Sequence, residues 1–288
     1  MPDQTPHSPA TLGDSSQVLN SPSGASPPLV LRAADTFAFS SGLAAALGGS
    51  LSLVASGVLG APHAGTWAFL AASGTFIIYG LDRLRDIDRD RAASPLRTAF
   101  VVRNRRRLYA TVGIVAIGFV AMLLTTPPSI ILLCAAIGLI GLFHRRMKKV
   151  AALKAAYVSL AWVAACVGMP WIASGRADAG PWVAGVLFAS LAANLIASNL
   201  RDDEGKARGE LARGDAASVL WIARAMTVLA IGITLAAAAP LHPLIWIPLC
   251  EGIALTYFQP TERYGHIAVD GGLLIGALAT SIHLGWAG

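Results

Sequence analysis

Charged side chains are scarce in this chain: Asp, Glu, Lys and Arg make up only 13% of its 288 residues, while 55% are hydrophobic. A soluble domain carries about a quarter charged residues. With a mean hydropathy of +0.61, the surface this composition would show to water is greasier than a folded soluble protein tolerates. An ordinary soluble enzyme and a disordered protein are thereby excluded. Cysteine is equally sparse: Cys134, Cys166 and Cys250 stand far apart inside apolar runs. They read as small buried hydrophobes, which excludes a disulfide scaffold. The six histidines are scattered and show no zinc-type spacing. What remains is an all-α, multi-spanning membrane protein.

The first 29 residues hold six prolines and six serines, and their only charged side chains are Asp3 and Asp14. They lack the basic start and apolar core of a signal peptide and are expected to form a disordered cytoplasmic tail. Residues 30–288 are expected to form the transmembrane domain. Apolar runs fall near 36–58, 62–81, 108–126, 129–143, 150–173, 181–198, 217–239, 241–257 and 268–286. A helix crossing about 30 Å of hydrocarbon needs about 20 residues, so the pattern predicts nine transmembrane helices.

The net charge of +6 raises the question of nucleic acid, but its distribution points to the membrane instead. Arg83, Arg85, Arg89, Arg91, Arg97, Arg103, Arg105, Arg106 and Arg107 lie between the second and third runs. Arg145, Arg146, Lys148 and Lys149 follow the fourth run, Arg201, Lys206, Arg208 and Arg213 the sixth, and Arg263 the eighth. The alternate loops offer Arg176 alone. By the positive-inside rule the basic loops face the cytoplasm, with the N-terminus inside and the C-terminus outside, as in a multi-pass protein of a bacterial-type inner membrane.

The carboxylates gather on that same side. Asp82, Asp86, Asp88 and Asp90 follow the second run. Asp82, Asp86 and Asp90 stand four apart, so a helix continuing out of the membrane would stack them on one face. Like charges at that spacing repel, and a divalent cation compensates them in a low-dielectric cavity. Mg²⁺ takes one or two carboxylates together with phosphate oxygens and waters. A second cluster, Asn194-Leu195-Ile196-Ala197-Ser198-Asn199-Leu200-Arg201-Asp202-Asp203-Glu204-Gly205-Lys206, lies at the end of the sixth run. Two acidic helix ends on one side could hold metal ions with a diphosphate between them. Taken singly, either loop also reads as a solvated topology signal.

This layout resembles the UbiA-type intramembrane prenyltransferases. Asp82-Arg83-Leu84-Arg85-Asp86 is similar to the core of that family's first motif, N-D-x-x-D-x-x-x-D, and Pro95 to its later proline. Ile78-Tyr79 stands where the motif opens with Asn-Asp. Asn199, Arg201, Asp202 and Glu204 resemble the second motif of the dihydroxynaphthoate branch, with Lys206 in place of its last Asp. The basic segment Phe143-His144-Arg145-Arg146-Met147-Lys148-Lys149 looks like the family's connection between its fourth and fifth helices.

The resemblance implies a UbiA-like bundle with Asp82, Asp86 and Asp202 as metal ligands and catalytic residues, joined by Asn199 and Glu204. Mg²⁺ is the implied cofactor. Arg83, Arg201, Lys148 and Lys149 are the implied diphosphate contacts, and Lys206 would meet the diphosphate as a point charge. The implied partners are an isoprenyl diphosphate donor, a lipophilic acceptor and the bilayer, with no nucleic acid. Relatives that cyclise an isoprenoid diphosphate, or that bind a lipid diphosphate without turnover, are the alternatives. A transporter would show pseudo-repeats in two halves, and none are visible here.

Five further ionisable residues lie within or near the runs: Asp35, Lys154, Arg224, Glu251 and Asp270. Intramembrane charges are functional candidates. Glu251, about ten residues from the polar loop on either side, is the deepest of them.

Overall fold

The computed structural model describes residues 29–147, 151–201, 216–259 and 261–287. Among them there are helices and turns and no strand. The expected N-terminal tail lies outside the described residues, apart from Leu29, which opens a short helix. The elements run α1 Leu29–Phe39, α2 Gly42–Leu59, α3 Ala64–Arg85, α4 Ile87–Ala93, α5 Pro95–Leu123, α6 Pro128–Met147 and α7 Ala151–Val163. A π-helical turn, Ala164–Gly168, joins α7 to α8 Met169–Ser174, followed by α9 Gly180–Arg201 and α10 Ala216–Ala236. A 3-10 turn, Ala239–Ile245, leads into α11 Trp246–Thr256, and α12 Glu262–Tyr264 passes through a second π turn, Gly265–Asp270, into α13 Gly271–Ala287.

Local chemistry sets these boundaries. Pro95 and Pro128 open their helices, where the missing N–H is no loss. Gly60 and Gly175 close theirs at φ 63° and 65°, a left-handed conformation that suits glycine. Pro240 and Pro243 hold the segment before α11 in the tighter 3-10 form.

Seven helical segments are long and apolar enough to cross a membrane: 42–59, 64–85, 95–123, 154–174, 180–200, 216–236 and 265–285. Each overlaps one of the expected runs. The other two runs also fold as helix, but the apolar part of α6 is only Pro128–Gly141, and α11 has 11 residues. At 29 residues, α5 is about 44 Å long, more than a bilayer core, and its arginine-bearing first turns make up the excess.

The helices form a closed circuit. α2 packs on α13, α13 on α11, α11 on α10, α10 on α9, α9 on α7, and the π turn after α7 returns to α2. Leu51, Val54, Val183, Leu187, Ile247 and Leu273 fill the interior of this ring. α3 packs outside α2, and α5 outside α3. The apolar stretch of α5 is accordingly 11% buried, against 61% for α9. Ile114 and Ile117 on α5, Val228 on α10 and Ile275 on α13 are exposed large aliphatics, as a lipid-facing surface requires.

Small residues set the closest approaches. A Cβ on Gly48 of α2 would stand 2.8 Å from Thr75 Oγ1 of α3. Gly272 and Gly276 form a Gly-x-x-x-Gly track on α13, where added Cβ atoms would meet Cys250 O at 3.1 Å and Ile247 Cα at 2.6 Å on α11.

Ion pairs differ between the two ends of the bundle. At the end away from the arginine-rich loops, Arg176 donates to Asp178 through Nε and Nη2 at 2.9 and 3.0 Å. The Arg176 hydrogen bonds hold the exposed Asp178 carboxyl below its usual range. The lone arginine among the alternate loops is thus neutralised by its neighbour. At the basic end, Arg263 donates to Asp35 of α1 at 3.0 Å. Reversing Arg263 to Glu is expected to lower thermal stability in detergent, and Asp35→Arg in the same chain to recover part of it. A double-mutant cycle should return a coupling of about 1 kcal/mol, since the pair is only half-exposed.

Candidate functional site

The second π turn carries the densest polar contacts inside the bundle. π turns bulge a helix and recur at functional positions. Here the bulge directs two side chains of one element inward. Asp270 Oδ1 accepts a hydrogen bond from Asn194 Nδ2 of α9 at 3.1 Å. His266 Nδ1 lies 3.1 Å from the other oxygen, Asp270 Oδ2. Both carboxylate oxygens are therefore engaged, one by a neighbouring helix and one within the turn.

α3 is tied to α7. Trp162 Nε1 of α7 donates to the Tyr79 hydroxyl at 3.0 Å, and the two rings meet edge to face at 5.8 Å between centroids. Glu251 is fully buried on α11, where a Cβ on Gly272, two residues beyond Asp270, would stand 3.4 Å from its Cα. Above this group the end of α1 is fastened down. Phe39 lies edge-on to the His266 ring at 5.8 Å, and Arg83 Nη1 donates to the Ala38 and Phe39 carbonyls, each at 2.7 Å. A guanidinium suits the last carbonyls of a helix, where the dipole is negative.

The residues singled out by the sequence divide into three groups. Asp82 is half-buried near the end of α3, one turn beyond Tyr79, and Asp86 is 6% exposed at the junction of α3 and α4. The single continuous helix expected to carry the three carboxylates does not form. The backbone departs from helix at Asp86 (φ −101°, ψ 18°), and Asp90 falls on the separate helix α4, where it accepts from Arg97 Nη2 at 3.1 Å. Asn199 is half-buried on α9, five residues beyond Asn194.

Arg201 closes α9, its side chain outside the described ones. Asp202, Glu204, Lys206, Lys148 and Lys149 lie outside the described residues. Arg83, expected to meet a diphosphate, is engaged with α1.

Carboxylates from Asp82 and Asp86 with the amide oxygen of Asn199 are hard donors of the class Mg²⁺ takes. Among the described residues, however, no three His, Cys, Asp or Glu side chains gather closely enough to hold a metal ion.

Sequence reasoning missed His266, and it included Asn194 only as the start of the second cluster, with no role of its own. The signal for His266 was present: His266 and Asp270 are four apart at the start of the last apolar run, a spacing that puts them on one face. Tyr79 entered only as the residue replacing a motif carboxylate, yet its hydroxyl ties α3 to Trp162 of α7.

No family model, curated protein or solved structure matches this chain.

Proposed function

We propose that this chain is a nine-pass membrane protein, N-terminus cytoplasmic and C-terminus outside, that ionises an isoprenyl diphosphate and transfers the isoprenyl group to an aromatic or other lipophilic acceptor. The observation that supports it is convergence. The two helices that carry the acidic motifs, α3 and α9, both join the polar cluster of the second π turn: α9 through the Asn194 hydrogen bond to Asp270 and α3 through Arg83, which holds Phe39 against His266. The count of nine rests on length. The 3-10 turn of seven residues and the 11 residues of α11 rise by about 14 Å and about 16 Å, together a bilayer core. The 20 residues of α6 rise by about 30 Å, of which the apolar Pro128–Gly141 supplies about 21 Å and the basic end reaches the headgroups.

In this reading Asp82, Asp86 and Asn199, joined by Asp202 and Glu204, hold Mg²⁺, which when bound neutralises the charge developing on a leaving diphosphate. Arg201, Lys148, Lys149 and Lys206 supply further positive charge. Arg83 joins them only by releasing the α1 carbonyls. The bond between the allylic carbon and the diphosphate oxygen breaks, and its electron pair leaves with the diphosphate. The acceptor forms the new bond to carbon and loses a proton. Tyr79 and Trp162, one turn inward from Asp82, present aromatic rings to the cation. The apolar interior keeps water from quenching it.

The test is diphosphate release by the protein in nanodiscs, with geranylgeranyl and shorter donors, with and without Mg²⁺ and acceptor. Mg²⁺-dependent release with an alkylated acceptor is expected. Release with a cyclised hydrocarbon or alcohol instead would reassign the chain to diphosphate ionisation without transfer. A folded protein that binds donor but releases no diphosphate would overturn the enzyme reading.

A further inference from the structure

Glu251 stands apart from every other carboxylate among the described residues. It is 0% exposed, and neither carboxyl oxygen has a hydrogen-bond partner. Ile247 and Leu255, one turn to either side, are also fully buried, so apolar clusters close over it from both directions. α13 presses on the backbone beside it, where a Cβ on Gly272 would stand 3.4 Å from Glu251 Cα.

Among the described side chains, the ionisable groups on the elements packed against α11 offer no counter-ion. Arg224 of α10 donates to the Leu255 and Thr256 carbonyls, at 3.0 Å and 3.1 Å. Tyr264 donates its hydroxyl proton to Ala254 O at 2.8 Å. His242 and His283 lie at the opposite end of α11, against Ala237 O and Trp246 Nε1. His266 lies against Asp270, and Asp270, on a turn packed against α11 and two residues before the Gly272 that abuts Glu251 Cα, is itself a carboxylate. Among the described side chains an ionised Glu251 would thus have no donor, no facing cation and one like charge nearby, its charge left unsolvated. A side chain with no exposed surface also leaves no room for a hydrated metal ion or an organic group. The ligand that fits is the smallest one.

We infer that Glu251 is a proton-binding site in the interior of the bundle, and that Asp270, braced by Asn194 and His266, is the group with which it exchanges that proton. In the exchange the Glu251 O–H bond breaks, the proton goes to an Asp270 oxygen, and the negative charge passes to Glu251. Asp270 is suited to this task because its side chain is 23% exposed. The inference requires neither the donor nor the metal of the proposed reaction.

Infrared spectroscopy of the full chain in nanodiscs, without donor or Mg²⁺, tests it. At neutral pH a carbonyl band of an un-ionised carboxylic acid is expected. It should move on [¹³C]glutamate labelling of the unmodified chain and vanish in Glu251→Gln. The other glutamates, Glu204, Glu210 and Glu262, lie in polar segments of the sequence and should contribute carboxylate bands only. After transfer to D₂O, the deuterium shift of the band should be at least tenfold slower in Asp270→Asn than in the unmodified chain. A folded protein with no glutamic-acid band overturns the site. A band whose exchange is unchanged by Asp270→Asn overturns the exchange partner. Because the isotope-labelled chain carries no substitution, the first result holds even where Glu251→Gln does not fold.

Discussion

Asp82→Asn is expected to lower Mg²⁺-dependent diphosphate release by about 10²–10³-fold, with the loss in kcat rather than in donor KM. Replacing carboxylate by amide keeps the volume and removes one charge that would anchor the metal at the leaving group. Electrostatic groups that act on charge developing in a transition state carry effects of about 3–4 kcal/mol each. Asp90 is the internal control. It belongs to the same acidic stretch, but α4 carries it to Arg97, so Asp90→Asn should leave release within about twofold, as for the loss of one partly exposed ion pair. Steady-state release by both variants, alongside their thermal midpoints, checks the prediction. Equal losses in the two would mean that the stretch acts as a diffuse charge and that Asp82 has no special place.

The largest structural effect should come from Gly276→Leu. A Cβ there would stand 2.6 Å from Ile247 Cα and 2.7 Å from Trp246 O. These are backbone atoms, so no rotamer change relieves the clash and α13 must move away from α11. Overpacking of this kind costs about 1–3 kcal/mol, sometimes more. The separation also strains the hydrogen bond from Thr280 Oγ1 to Pro243 O, 3.1 Å long. The thermal midpoint in detergent should fall by about 10 °C, given about 2–4 °C per kcal/mol for a chain of this size class. Gly285→Leu on the same helix meets nothing within 4 Å and should leave the midpoint unchanged.

Much of the architecture is legible in the sequence because the bilayer demands long apolar helices, and such runs can be read without tertiary information. The proline-bounded eighth run shows where that legibility ends. Its hydropathy predicts a crossing, but the division into a 3-10 turn and a short α-helix follows from Pro240 and Pro243 together with packing on α13. The π turns are invisible for a related reason: a shifted hydrogen-bond register leaves no mark in residue type.

Partner choice was harder still. Arg83 sits within a motif-like stretch, yet its carbonyl partners lie 44 and 45 residues earlier, at the end of α1. No local pattern announces that contact. The spacing of Asp82, Asp86 and Asp90 suggested one face because a straight helix was assumed, and the break at Asp86 divides them.

The seat of α13 between α2 and α11 also orders the events of biosynthesis. Membrane helices enter the bilayer in the order in which the ribosome makes them. Until α13 emerges, the track on α11 that receives Gly272 and Gly276 faces lipid or the insertion machinery. Asn194 meanwhile waits for the Asp270 carboxylate that will engage it. A nascent chain halted before the second π turn therefore has most of its spans and none of its interior polar contacts to Asp270. Completion of the ring and completion of that cluster are one event, reached only after the last long helix has been synthesised.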